Sequence, residues 1–418
     1  MTPKKNFLLI EHGGNRKQFT LDVLLNEHIN IFIATSTVPD WLTEYIPEEH
    51  IIPTDTYNSV KLLTDVVTFF EARNIHLDGM GTFFEHTVTQ TADVAHAMGL
   101  IGLDPGAARR SSSNKLLMRI YCRNAGIPTP RFTILSNLTR ENLIQAIAAV
   151  GTPCVIKPVF GSESYGTVKI EKQYDIDQIL GEVNANIGAD KKEVFKNFNG
   201  TFLLEEYLPG PVISVDGIVA NHTVHIAGIV EFIMGPEPRF TQEANYIPAR
   251  LKKEVADEAV RMAKKIIATL GFDNCGFHCE MRLTPDRGPV LLEIAARLPG
   301  GPLQPGHQKA TGINLTKELL NVWLGNPSAP TPSLQNFVLQ KAVFPRTNGV
   351  IVAITIPETL TSQKGVWDFT LIAQPGEQIV TYPNIPKPFY YYAIHTETDV
   401  ELAKLSALIE SQIQINVE

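Results

Sequence analysis

Residues 275–301 constrain this chain more than any other stretch. In CGFHCEMRL, Gly276, His278, Glu280 and Arg282 alternate with Phe277, Cys279, Met281 and Leu283, the period-two pattern of a half-buried strand. Pro285-Asp286-Arg287-Gly288 is strong turn chemistry, and residues 290–295 are an apolar run long enough for a second strand. A turn centred between Asp286 and Arg287 sets Glu280 opposite Glu293 across the hairpin. Like charges in that position are destabilising unless something cationic lies between them. Two hard oxygen ligands facing one point suit Mg²⁺, which takes one or two carboxylates plus substrate phosphates. The bland alternative is a surface hairpin with two solvated glutamates. Against it, Glu293 sits within an apolar run, where an unpaired carboxylate is costly. Arg297 follows, and Pro299-Gly300-Gly301 is a turn whose backbone can approach a ligand closely.

The 418 residues suggest roughly two to four domains. Hydrophobic residues at 44% and charged residues at 19% describe a globular chain with ample core, and a net charge of −8 without a basic run argues against nucleic-acid binding. The N-terminal apolar run 7–10 is too short for a signal-peptide core, and no stretch approaches a membrane span. Cys122, Cys154, Cys275 and Cys279 form no disulfide framework, and the last two share the apolar face of their strand as core thiols. A cytoplasmic protein is expected.

Residues 1–108 alternate short apolar strands with helices, which predicts an open parallel, Rossmann-like sheet. Strands are expected at 6–10, 29–34 and 100–102, a strand and loop at 77–84, and helices at 18–26, 59–73 and 87–98. The loop after the first strand, Glu11-His12-Gly13-Gly14, lacks G-x-G-x-x-G, which excludes a dinucleotide fold of the dehydrogenase type. Residues 105–113 read as a boundary loop. Residues 109–206 and 207–330 form two further units. The first carries helices at 114–124 and 138–150 and strands at 131–135, 154–158 and 201–207. The second carries strands at 212–220 and 224–232, an irregular loop at 235–248, a helix at 251–270 and another within 306–324. A linker at 327–334 leads to a β-rich subdomain, 331–418, with a closing helix near 400–412.

Two lysines stand out. Lys115 lies in a helix's first turn, where the macrodipole disfavours a cation but welcomes an anion. Lys157 ends a β-branched run and precedes the small-residue loop of Ser162, Glu163, Ser164, Tyr165 and Gly166, able to wrap phosphate with backbone N–H groups. The P-loop spacing is absent.

Lys115, Lys157 with its glycine loop, Glu205-Glu206-Tyr207-Leu208 and the Glu280/Glu293 hairpin together resemble the ATP-grasp superfamily over nearly the whole chain. The resemblance is closest to the carboxylate–amine ligases, and within them to the L-amino acid ligases, whose paired motifs NCGFHCEMRL and LLEIAARLPGG look like. It implies an α/β and α+β multidomain ATP-grasp fold. Lys115 and Lys157 would contact the α/β-phosphates of ATP, and Ser162, Glu163, Ser164 and Gly166 would close over the β/γ-phosphates. Glu205, Glu206, Tyr207 and Leu208 would form the adenine hinge. Glu280 and Glu293 would bind Mg²⁺, or Mn²⁺ in its place. Arg297, Gly300 and Gly301 would stabilise the acyl phosphate and tetrahedral intermediate, while Glu85, Asn245 and His278 would reach the amino-acid site. Amino-acid substrates are implied, and a homodimer is compatible with the resemblance.

The sequence departs from the pattern at four points. Ala295 replaces a metal-binding asparagine of many ATP-grasp ligases, a change the dipeptide ligases share. Val212 stands where many relatives place a ribose-binding glutamate, and Asn245 where some dipeptide ligases have histidine. Gly301 is small where some carry a bulky aromatic, which predicts a roomier pocket. Two further readings compete with amino-acid ligation: a ligase for another carboxylate–amine pair in nucleotide or natural-product metabolism, and a nucleotide-binding regulator without catalysis.

Overall fold

Four strands with both faces apolar build the N-terminal layer of this computed structural model, which describes residues 4–12, 18–161, 165–187, 195, 198–236, 240–381 and 386–418. They are β1 (Lys5–Ile10), β2 (Ile29–Thr35), β3 (Ile51–Pro53) and β4 (Gly79–Gly81), parallel in the order β3-β2-β1-β4. Period two sends Phe7, Leu9, Ile31 and Ile33 into one core and Leu8, Ile10, Phe32 and Ala34 into another. Helix α1 (Gln18–Leu25) covers the first face, whereas α2 (Ser59–Ala72) and α3 (Val88–Ala97) cover the second. Asn58 caps α2 by accepting from the Val60 and Lys61 N–H groups. The strand expected at 100–102 does not form; the segment follows the end of α3 as irregular chain. The expected loop at 105–113 holds a short helix, α4 (Pro105–Arg109), which Asp104 starts by accepting from Ala107 N–H with Pro105 in the first turn.

Helix α5 (Lys115–Asn124) leads to a second, antiparallel sheet of β5 (Phe132–Leu135), β6 (Cys154–Pro158), β7 (Val168–Ile170) and β8 (Phe202–Glu206), in the order β5-β8-β6-β7. Helices α6 (Arg140–Val150) and α7 (Ile176–Asn186) pack on one face of it through Leu143, Ile147, Ile179 and Val183.

The third layer begins with β9 (Val212–Ala220), β10 (Thr223–Met234) and β11 (Gln242–Ile247). Strand β11 replaces the irregular loop expected at 235–248, because Ala244 and Ile247 alternate into apolar cores while β10 and a later strand take up its backbone groups. Helix α8 (Lys253–Leu270) buries Ala259, Ala263, Ile266, Ile267 and Leu270 on one stripe and ends at left-handed Gly271. Its isoleucines and leucine contribute about 1.5–3 kcal/mol each by burial. The hairpin β12 (Cys275–Thr284) and β13 (Gly288–Ala295) follows, then α9 (Leu303–Thr311) and α10 (Leu315–Trp323). These two replace the single helix expected at 306–324, since Gly312 takes a left-handed φ and Asn314 caps a new start.

The C-terminal segment adds β14 (Phe337–Val343), β15 (Gly349–Thr355), β16 (Val366–Leu371), β17 (Gln378–Ile379), β18 (Tyr390–Thr396), α11 (Asp399–Gln412) and β19 (Gln414–Val417). Strands β14, β18 and β16 extend the third layer into one eight-stranded sheet, β13-β12-β9-β10-β11-β14-β18-β16, while β15, β17 and β19 pair separately. One face of β9 and β12 packs on α5 and α8; on the other, Ile218, Ala220 and Leu298 join α10 and the N-terminal layer. No helix among the described residues is long and apolar enough to cross a membrane.

Candidate functional site

Phe277, Cys279 and Met281 are fully buried in the core behind β12, so His278 and Glu280 project from its other face. Glu280 lies directly opposite Glu293. Nearer the turn the register moves by one residue, with Met281 opposite Leu291 and Thr284 opposite Gly288. The turn is therefore centred on Asp286, and a bulge at Leu292 restores the glutamate pairing. That bulge also turns the Leu292 carbonyl toward Arg119, whose Nη2 donates to it.

The glutamates border a cleft of about 600 Å³ lined also by Lys115, Lys157, Glu205 and Tyr207. Lys115 enters from the first turn of α5, which Asn114 caps by accepting from Leu117 N–H at 3.1 Å. Its Nζ donates to the Gly161 carbonyl at 2.5 Å and stands 3.6 Å from Glu293 Oε2. Lys157, at the end of β6, reaches Glu205 Oε2 at 2.6 Å, and Arg119 Nε reaches Glu205 Oε1 at 2.6 Å. Burial opposes charge on Glu205, but Arg119 and then Lys157 outweigh it and hold the carboxyl at about 2. Burial pushes Lys157 below the ordinary lysine range, and Glu205 offsets this only in part. An anion arriving at Lys157 therefore meets a desolvated cation and favours its charged form.

The Glu205 side chain thus faces two cations while lining the cleft. Glu206 lines the cleft while pairing with Arg131 at 2.9 Å and Arg287 at 2.7 Å. Tyr207 and Leu208 line it as well, as do Gly166 and Val212. Ser162, Glu163 and Ser164 lie outside the described residues, as do Gly13 and Gly14 of the first loop.

Arg297 follows β13 and is held by Glu85, with Nε 2.7 Å from Oε2. Glu85 also accepts from Ser112 Oγ at 2.7 Å and Ser113 Oγ at 3.3 Å. Burial works against the Glu85 carboxylate, yet Arg297 and Ser112 keep it below its ordinary value. The N-terminal layer thereby orients an arginine of the third layer. A Cβ at Gly300 or at left-handed Gly301 would meet no described atom within 4 Å, so open space borders this turn.

Behind Glu280, His278 Nε2 lies 3.0 Å from Oε1 and its Nδ1 lies 2.6 Å from Asp216 Oδ1. Burial alone would lower the His278 pKa, but Asp216 and Glu280 raise it to about 10. Asn245 is buried on β11, where its Nδ2 donates to Gln340 Oε1 at 3.4 Å, and it is not among the residues bordering the cleft.

Two carboxylates with hard oxygen donors, one held by histidine and one near lysine, fit a divalent cation completed by phosphate oxygens. Among the described residues no group of three or more His, Cys, Asp or Glu could hold a metal ion. Sequence reasoning missed Arg119 and Asp216, although signals existed. Arg119 falls four residues after Lys115 on the buried stripe with Met118 and Cys122, and Asp216 interrupts a nine-residue strand that is otherwise apolar or small.

An ATP-grasp domain family model matches residues 150–304. The alanine–anticapsin ligase of Bacillus subtilis (strain 168) is 25% identical over 342 residues, covering 79% of this chain and 70% of that protein. Carnosine synthase 1 of Gallus gallus is 25% identical over 348 residues, and the chain spans 37% of its length while 79% of this chain is matched. The crystal structure of an L-amino acid ligase from Bacillus licheniformis superposes with a TM-score of 0.79 at 19% identity, covering 100% of both chains.

Proposed function

We propose that this chain, a member of the ATP-grasp superfamily and an ATP-dependent carboxylate–amine ligase, joins two amino acids through an acyl phosphate, releasing ADP and phosphate. The observation that carries the reading is the convergence of Lys115, Lys157, Glu280 and Glu293 on one cleft. Phosphoryl transfer depends chiefly on positioning and charge neutralisation, and these four supply both. Lys157, desolvated and held by Glu205, meets the phosphates from β6, and Lys115 meets them from α5. Mg²⁺ held by Glu280 and Glu293 would neutralise phosphate charge.

Tyr207 and Leu208, which follow β8, line the cleft and would hold the base. The carboxylate of the first amino acid attacks the γ-phosphorus, and the amine of the second then displaces phosphate. Arg297, oriented by Glu85, donates to the oxyanion of that second step together with backbone N–H groups near Gly300 and Gly301. A heavy-oxygen label on both carboxylate oxygens of the first amino acid should appear once in the released phosphate. Label carried off in AMP instead would overturn the acyl-phosphate step.

A further inference from the structure

Asp216 lies in the middle of β9, with no exposed surface, directly opposite His278 of β12. An isolated carboxylate buried this deeply would be strongly unfavourable. Here it accepts from three groups: His278 Nδ1 at 2.6 Å, His307 Nε2 at 2.9 Å and Ser214 Oγ at 3.1 Å. His307 comes from α9 and is equally inaccessible. Gly228 of β10 leaves room for its ring, since a Cβ there would stand 3.2 Å from Nδ1 and Cε1. At the far end, His278 Nε2 engages Oε1 of Glu280 at 3.0 Å. A continuous polar chain, His307–Asp216–His278–Glu280, thus runs along one face of the sheet. It joins the helix that follows Arg297, Gly300 and Gly301 to a carboxylate of the cleft.

We propose that Asp216 and His307 are positioning residues, acting through His278 to hold one oxygen of Glu280 so that the other is aimed at a divalent cation. The inference rests on the ligase reading, which places that cation at Glu280 and Glu293. Neither Asp216 nor His307 borders the cleft, and the hydrogen bonds through His278 connect both to Glu280. Helix α9, through His307, and Ser214 of β9 together hold the second oxygen of Asp216, and movement of α9 would reach Glu280 by the same route.

The test is Mn²⁺ binding in the presence of ADP, followed by electron paramagnetic resonance, for wild type, Asp216→Asn, His307→Leu and His307→Gln. Loss of a partner behind a metal ligand typically weakens binding about 10–100-fold. Asp216→Asn is expected in that range and His307→Leu at its lower end. His307→Gln, which keeps a donor toward Asp216, is expected to restore most of the affinity. In steady-state assays the KM for Mg²⁺ should rise more than kcat falls. If Asp216→Asn does not fold, the two His307 variants decide the matter. A folded His307→Leu that melts earlier yet binds Mn²⁺ like wild type would overturn the positioning role. A wild-type protein that binds no Mn²⁺ with ADP would instead overturn the ligase reading and the inference with it.

Discussion

Replacing Glu205 by glutamine removes the carboxylate between Arg119 and Lys157 and leaves two buried cations facing a neutral amide. Arg119 has no exposed surface and keeps the Leu292 carbonyl of β13 as its acceptor. The folded carboxyl sits at about 2 against an ordinary 4.5, a difference worth about 3 kcal/mol of preference for the charged, folded form. Removing one partner from a buried ion pair typically costs about 3–5 kcal/mol, so both routes reach the same magnitude. Because the folded pKa is depressed, this contribution is fully present above about 4.5 and is lost as pH falls toward about 2. Urea unfolding followed by circular dichroism should show Glu205→Gln less stable by about 3 kcal/mol at neutral pH, with the gap to wild type closing in acid. A loss below about 1 kcal/mol, the value of an exposed pair, would refute the reasoning.

Glu293→Gln should abolish amide formation while leaving the unfolding curve near wild type, because Glu293 is partly exposed and its nearest cation stands 3.6 Å away; retained turnover would remove it from the metal site. Gly276→Ala would place a Cβ 2.7 Å from the backbone nitrogen of Leu298, pushing the Arg297 segment off β12. Its expected result is a fall in kcat larger than any change in ATP binding, read by steady-state kinetics. Asn114→Ala removes the cap of α5 and should cost about 1 kcal/mol in urea unfolding, with weaker ATP binding because Lys115 begins that helix.

Much of this arrangement was legible from local pattern. Alternation in residues 275–283 and the turn chemistry after it were enough to place Glu280 against Glu293, and β6 and β9 have the expected bounds. The register was reached despite a misplaced turn centre, because the bulge at Leu292 compensates for the half-residue error. Period two cannot show a bulge, since it depends on how two strands twist together. Strand β11 was hidden for a related reason: QEANYI carries little apolar signal and is a strand because β10 and β14 lie on either side. The partners of Glu205 and His278 come from elements far away in the chain, so only the fold could reveal Arg119 and Asp216 as theirs. The pairing of Glu85 with Arg297 across layers is of the same kind.

The most direct test of the central claim is ATP consumption with Mg²⁺ against single and paired amino acids, with nucleotide, phosphate and product mass measured together. The account predicts ADP and phosphate only with particular pairs, alongside a product whose mass is that of both acids less one water. AMP and pyrophosphate, or ADP release with no product of that mass, would contradict it.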